Sequence, residues 1–183
     1  GLFGRETLAA QGIQLHVSNA MHQLVNQTPQ WDLMVQQGVF DVHTFIHGEQ
    51  LFNAENLTIE ATNVPHRDEL SDMHAFIIRG PSKSLLFLPD HDTWEETLAA
   101  HSVSSIREWL TQMQIDIALL DGTFWSEDEL GGRDQSKVPH PPVLQTLNML
   151  GNRKEGDPEV YFTHLNHTNP LYDAEGEQMK QVT

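Results

Sequence analysis

The chain reads as a layered α/β or α+β domain. Three observations predict this. A hairpin lies mid-chain, where His74 to Arg79 and Lys83 to Leu88 flank the turn signal Gly80-Pro81-Ser82. Strand and helix patterns then alternate toward the C-terminus, as layered folds require. The 183 residues, 38% of them hydrophobic, suffice for one buried core.

The elements follow in order. Gly4 to Ala10 has the character of a helix tail ending at Gly12. Ile13-Gln14-Leu15-His16-Val17 alternates as a half-buried strand does. Ser18 is placed to cap a helix with Met21, Leu24 and Val25 on one face. Pro29 to Gln37 predicts a short helix stopped by Gly38. Strands are expected over Val39 to Phe45, Gln50 to Phe52 and Leu57 to Val64. Ser84 to Leu88 is a continuous apolar run, as in a strand covered on both faces. One helix is expected from Glu95 to Met113, then a strand from Ile115 to Leu120. His140 to Leu150 predicts a helix with Pro141 and Pro142 in its first turn. Val160 to Thr163 is the last strand. Residues 126–139 and 151–158 are expected as polar loops.

Composition narrows function. The formal net charge is −16, which repels phosphate backbones, so no nucleic-acid partner is expected. A small anionic substrate held by a local metal ion remains compatible with that charge. No apolar run reaches the ~20 residues of a membrane span, and the first residues show no signal peptide. The absence of cysteine removes disulfides, thiolate nucleophiles and cysteine-ligated zinc, and suits a cytoplasmic location. Histidine is the commonest metal ligand among side chains, and the chain has 11. His16, His22, His43, His47 and His101 lie alone among polar residues and are expected as ordinary surface or boundary groups.

The chemistry-bearing residues stand where apolar strands end. His66 follows Thr62-Asn63-Val64-Pro65, and Asp90 follows Leu86-Phe87-Leu88-Pro89. Asp121 follows Ile117-Ala118-Leu119-Leu120, and His164 follows Val160-Tyr161-Phe162-Thr163. Layered α/β proteins place reactive groups at such ends. Neutral imidazoles with a carboxylate suit zinc, iron or manganese. Polar residues must also end strands for structural reasons, and Asp90 or Asp121 as a plain cap or turn residue is the competing reading.

The wording of longer segments says more. Leu119-Leu120-Asp121-Gly122-Thr123-Phe124-Trp125-Ser126-Glu127-Asp128-Glu129-Leu130 resembles a stretch of the pyrroloquinoline-quinone biosynthesis B family. Val160 to Leu171 and Val138-Pro139-His140-Pro141-Pro142-Val143 are similar to two further motifs of that family, in the same order. The resemblance spans roughly residues 1–173. It implies a metallo-β-lactamase fold, an αββα sandwich with a metal site at one edge. The superfamily's HxHxDH motif is absent, and Gly1 to Leu8 resembles the helix just after it. The expectation is therefore a partial domain over 1–183, cut at both ends, holding the C-terminal two-thirds of the fold. As an isolated piece it is expected to be inactive.

By the same resemblance, His66, Asp90 and His164 match superfamily metal ligands, with Asp90 as the carboxylate that bridges two metals. Asp92 or His91 is the alternative for that role. An acid at Asp90 departs from the quinone-biosynthesis proteins and resembles the hydrolytic branches. Asp121 and His140 match a carboxylate–histidine pair in which the histidine protonates a leaving oxygen. The competing reading makes His140 a polar helix start and Asp121 a turn residue.

The first expected function is a hydrolase using one or two divalent ions, with zinc ahead of iron or manganese. Its metal-activated water would attack an ester, amide or phosphodiester of a small-molecule substrate. The alternative is a role in making or handling a quinone cofactor, by oxidative chemistry at iron. A degenerate, non-enzymatic binding domain is the third reading. A homodimer is compatible with all three.

Overall fold

The computed structural model describes residues 9–130 and 138–182. The first strand, β1, runs Ile13–Ser18 and pairs in parallel with β2, Phe40–Phe45. Between them lie helices α1, Asn19–Gln27, and α2, Pro29–Gln36. Ser18 caps α1 by accepting from the Met21 backbone N–H, as its position in the sequence predicts.

A six-stranded sheet follows in chain order: β3 Gln50–Ala54, β4 Leu57–Asn63, β5 His74–Arg79, β6 Ser84–Leu88, β7 Ile117–Asp121 and β8 Glu159–Thr163. Pairing is antiparallel from β3 to β6 and parallel from β6 to β8. The hairpin turn closes with Gly80 N–H donating to the Lys83 carbonyl at 2.8 Å. The parallel half places the C-terminal ends of β6, β7 and β8 side by side. Asp90, Asp121 and His164 leave the sheet there.

Helices α3, Trp94–Ala100, and α4, Ile106–Gln112, cover one face. Ala75, Ile77, Leu86, Leu88, Ala118 and Leu120 point to them from alternate strand positions. Trp94, Leu98, Ile106, Trp109 and Leu110 complete that core. The opposite-facing residues Phe76, Ile78, Leu85, Phe87 and Leu119 are only half-buried. Thus β6 alternates, although its apolar run predicts cover on both faces.

The single helix expected from Glu95 to Met113 is two helices, broken over His101–Ser105. Each piece has its own side-chain N-cap in a Thr/Ser-x-x-Glu sequence. Thr93 accepts from the Glu96 N–H and Ser105 from the Glu108 N–H, and Ser102 turns the chain at φ 56°. A capped second start outcompetes continued helix through three serines.

Helix α5 runs Val143–Leu150 and starts later than predicted, with Pro142 as its cap. His140 therefore sits on the loop before it. Helix α6, Met179–Val182, ends the described chain. The helix expected over Gly4 to Ala10 lies mostly outside the described residues, and Ala9 and Ala10 are not helical. Among the described residues, no helix is long and apolar enough to cross a membrane.

Candidate metal centre

The ends of β4, β6, β7 and β8 converge on one cluster. Asp90 holds its middle. Its Oδ1 lies 3.0 Å from His66 Nε2 and 3.2 Å from His140 Nδ1. Neither contact has hydrogen-bond geometry, so this buried carboxylate oxygen accepts no hydrogen bond. A buried acceptor in that position is costly unless a cation or donor meets it. Metal-binding atoms of Asp90, His140 and His164 all lie within 4.8 Å of one another. Two imidazoles and a carboxylate at such spacing suit zinc, iron or manganese. These residues fit a divalent ion, although the set holds His140 where the sequence selected His66.

His66 is 11% exposed and stands between two carboxylates. Its Nδ1 lies 3.0 Å from Asp92 Oδ1, and its Nε2 faces Asp90. Asp92 is itself tied to the strand end, its N–H donating to the Pro65 carbonyl at 2.9 Å. Asp92 thus contacts His66 through Nδ1, while Asp90 Oδ1 lies within reach of both His66 and His140. His91, the other alternative, is fully buried, with Nδ1 2.8 Å from Thr97 Oγ1 and its ring edge-on to Trp94. Burial pushes its imidazole down to about 4, so it stays neutral.

Asp121 is the buried hub. Its Oδ1 accepts from the Thr123 N–H at 2.9 Å and from Thr123 Oγ1 at 2.7 Å. Its Oδ2 lies 2.8 Å from His140 Nδ1. Burial alone would raise this carboxyl, but the bonds from His140 and Thr123 outweigh it and hold it below its ordinary value. At His140 burial opposes the charged form, and Asp121 more than offsets it, so the imidazole is raised. At Asp90 burial raises the carboxyl against the pull of His66 and His140.

Two backbone features shape the rim. His164 and Arg67, which directly follows His66, adopt φ of 61° and 42°. Non-glycine residues in that region cluster at functional sites. Gly122 sits between Asp121 and Thr123 because β7 and β8 touch there. A Cβ on it would lie 2.8 Å from Phe162 Cβ.

The structure thus gathers all five sequence-selected residues, His66, Asp90, Asp121, His140 and His164. It also adds Thr123, which the sequence did not single out, and sets Asp92, weighed there only as an alternative to Asp90, against His66. Thr123 Oγ1 lies 2.9 Å from His164 Nδ1. His47 and His101 lie outside the cluster and bracket the Asn63 peptide: His47 Nδ1 accepts its N–H and His101 Nε2 meets its carbonyl, each at 2.9 Å. A separate groove of about 770 Å³ runs beside β8, lined by Leu147, Leu150, Leu165 and Leu171 among others. No cluster residue lines it.

Comparison with known proteins gives the family and the fold. The family model described as the beta-lactamase superfamily domain matches residues 2–165. A coenzyme PQQ synthesis protein B from Acinetobacter baumannii is 24% identical over 139 residues, covering 69% of this chain and 43% of the relative. Its counterpart from Methylococcus capsulatus is 30% identical over 79 residues, 37% of this chain and 24% of the relative. The chain therefore spans less than half the length of these curated relatives.

Among solved structures, zinc-bound PqqB from Methylobacterium extorquens superposes with a TM-score of 0.65 at 18% identity, over 93% of this chain and 57% of that one. A diphosphatase of the PhnP family gives 0.51 at 16% identity, over 91% and 52%. At these identities the likeness concerns the fold. The match of the family model over most of the sequence carries the conclusion that this chain belongs to the metallo-β-lactamase superfamily.

Proposed function

We propose that the chain forms the metal-binding and proton-donating part of a metal-dependent hydrolase. The observation that carries this is the unsatisfied, buried Asp90 Oδ1 set among His66, His140 and His164, with the Asp121–His140 pair beside it. In this reading His66 Nε2, Asp90 and His164 hold the cation. A divalent ion there would supply Lewis acidity and an activated water, whose pKa falls to about 7.

The remaining steps belong to the protein. Asp92 holds the His66 ring, and Asp121 holds His140 through Nδ1. Asp121 favours the protonated form of His140. In that form His140 can deliver a proton from Nε2 to a departing oxygen. The substrate class is an ester, amide or phosphodiester.

A second reading has its own support: the curated relatives are coenzyme PQQ synthesis proteins B. It assigns the site to handling of a quinone precursor, with iron as the ion. One experiment tests both. Metal is measured in the native gene product beside a His66→Ala/His164→Ala double variant. One or two zinc or manganese ions, lost in the variant, accompany hydrolysis. Bound iron with dioxygen-dependent activity supports the second reading instead. Equal metal in both proteins would overturn the ligand assignment. No metal in either would leave a non-enzymatic binding domain.

A further inference from the structure

Thr123 links two halves of the centre. Its hydroxyl lies 2.7 Å from Asp121 Oδ1 and 2.9 Å from His164 Nδ1. A carboxylate oxygen can only accept, so the hydroxyl proton lies on the Asp121 side. The hydroxyl then has only lone pairs for His164. Nδ1 of His164 must therefore carry the hydrogen, and Nε2 keeps the lone pair. The Thr123 backbone N–H also donates to Asp121 Oδ1, at 2.9 Å, and ties the backbone of the threonine to the same carboxylate oxygen.

The same logic applies directly at two neighbours. His140 reaches Asp121 through Nδ1 at 2.8 Å, and His66 reaches Asp92 through Nδ1 at 3.0 Å. Only His164 lacks a carboxylate of its own. It is also the exposed member of the cluster and sits at φ 61°. Among the described residues, Thr123 Oγ1 is the hydrogen-bond partner of its Nδ1.

We propose that Thr123 is a positioning residue that relays the Asp121 carboxylate to His164 and so makes Nε2 the nitrogen presented to the cation. One buried carboxylate thereby sets the tautomer of two imidazoles, directly at His140 and through a hydroxyl at His164. The inference rests on the reading of His164 as a metal ligand, but its core, the tautomer, exists without metal.

The test uses nitrogen-15 NMR of the histidine rings in the metal-free chain, followed by zinc titration against a competing chelator. Wild type should show hydrogen on Nδ1 of both His164 and His140. Thr123→Val should release His164 to a mixture of tautomers while His140 stays unchanged, and zinc affinity should fall about 10–100-fold. Thr123→Ser should restore both readouts. Hydrogen on Nε2 of His164 in wild type overturns the proposal, and this needs no variant to fold. So does a valine variant with unchanged tautomer, or a serine variant that fails to rescue. Correct tautomers without zinc binding would instead overturn the metal reading and leave the relay standing.

Discussion

Replacing Gly122 with alanine probes the joint on which the centre depends. The added Cβ would lie 2.8 Å from Phe162 Cβ, 3.0 Å from Leu165 Cδ2 and 3.0 Å from the Thr163 carbonyl oxygen. Carbon pairs prefer about 3.5–4.0 Å, so the ends of β7 and β8 must part by roughly half an ångström or more. Overpacking of this kind costs about 1–3 kcal/mol. The Gly122 N–H to Thr163 carbonyl bond, 2.9 Å long, lies across the same gap, and weakening it adds about 1 kcal/mol. At about 2–4 °C per kcal/mol for a chain of this size, the melting temperature should fall on the order of 5–15 °C. The displacement also separates Thr123 from His164, so zinc affinity should drop at least about tenfold. Gly151→Ala is the control. It has open space around it but φ 61° and ψ −160°, a region only glycine enters readily. It should destabilise comparably without touching zinc affinity. A Gly122→Ala variant that melts and binds zinc as wild type, or a Gly151→Ala variant that loses zinc equally, would refute the reasoning.

Other changes report on separate parts of the structure. Thr146→Val removes the acceptor of the buried Trp94 Nε1, 2.8 Å away, and should cost about 1–3 kcal/mol in a denaturant titration; Trp94→Phe in that background should add little beyond the lost ring volume. Asp92→Asn removes the charge that holds His66 Nδ1 and should weaken zinc binding about tenfold or more with little change in melting temperature. Asp157 grips Arg107 at 2.7 and 2.8 Å, and these bonds pull its carboxyl down to about 2. A depressed acid contributes stability that is full above its unfolded value of about 3.9 and is lost as pH falls toward 2. Arg107→Ala should therefore cost about 1 kcal/mol at pH 7 and converge with wild type as pH approaches 2.

Much of this fold was legible because the strands carry their own punctuation. Ser18 marks a helix start, and Gly80-Pro81-Ser82 marks a hairpin. Apolar runs end at the residues that carry chemistry. The helix break at His101–Ser105 was missed because apolar periodicity continues across it. Yet Ser105, three residues before Glu108, is a readable N-cap. Both faces of β6 look alike in sequence, since periodicity cannot say which is covered.

The site divides along a physical line. His66, Asp90, Asp121 and His164 could be chosen from strand ends alone, since β6, β7 and β8 run parallel and β4, across the antiparallel β5, runs the same way. His140 stands before a helix, and only its resemblance to a family motif marked it. Thr123 was hidden for a different reason. A threonine two residues past a strand looks like any turn residue, and its role exists only through the register Asp121↔Thr163, which sets His164 beside it. Ligand types are written in one segment at a time, whereas the tautomers of the ligands are written between segments. For a centre of this kind, a sequence can name the metal-binding atoms' residues well before it can say which nitrogen each histidine presents.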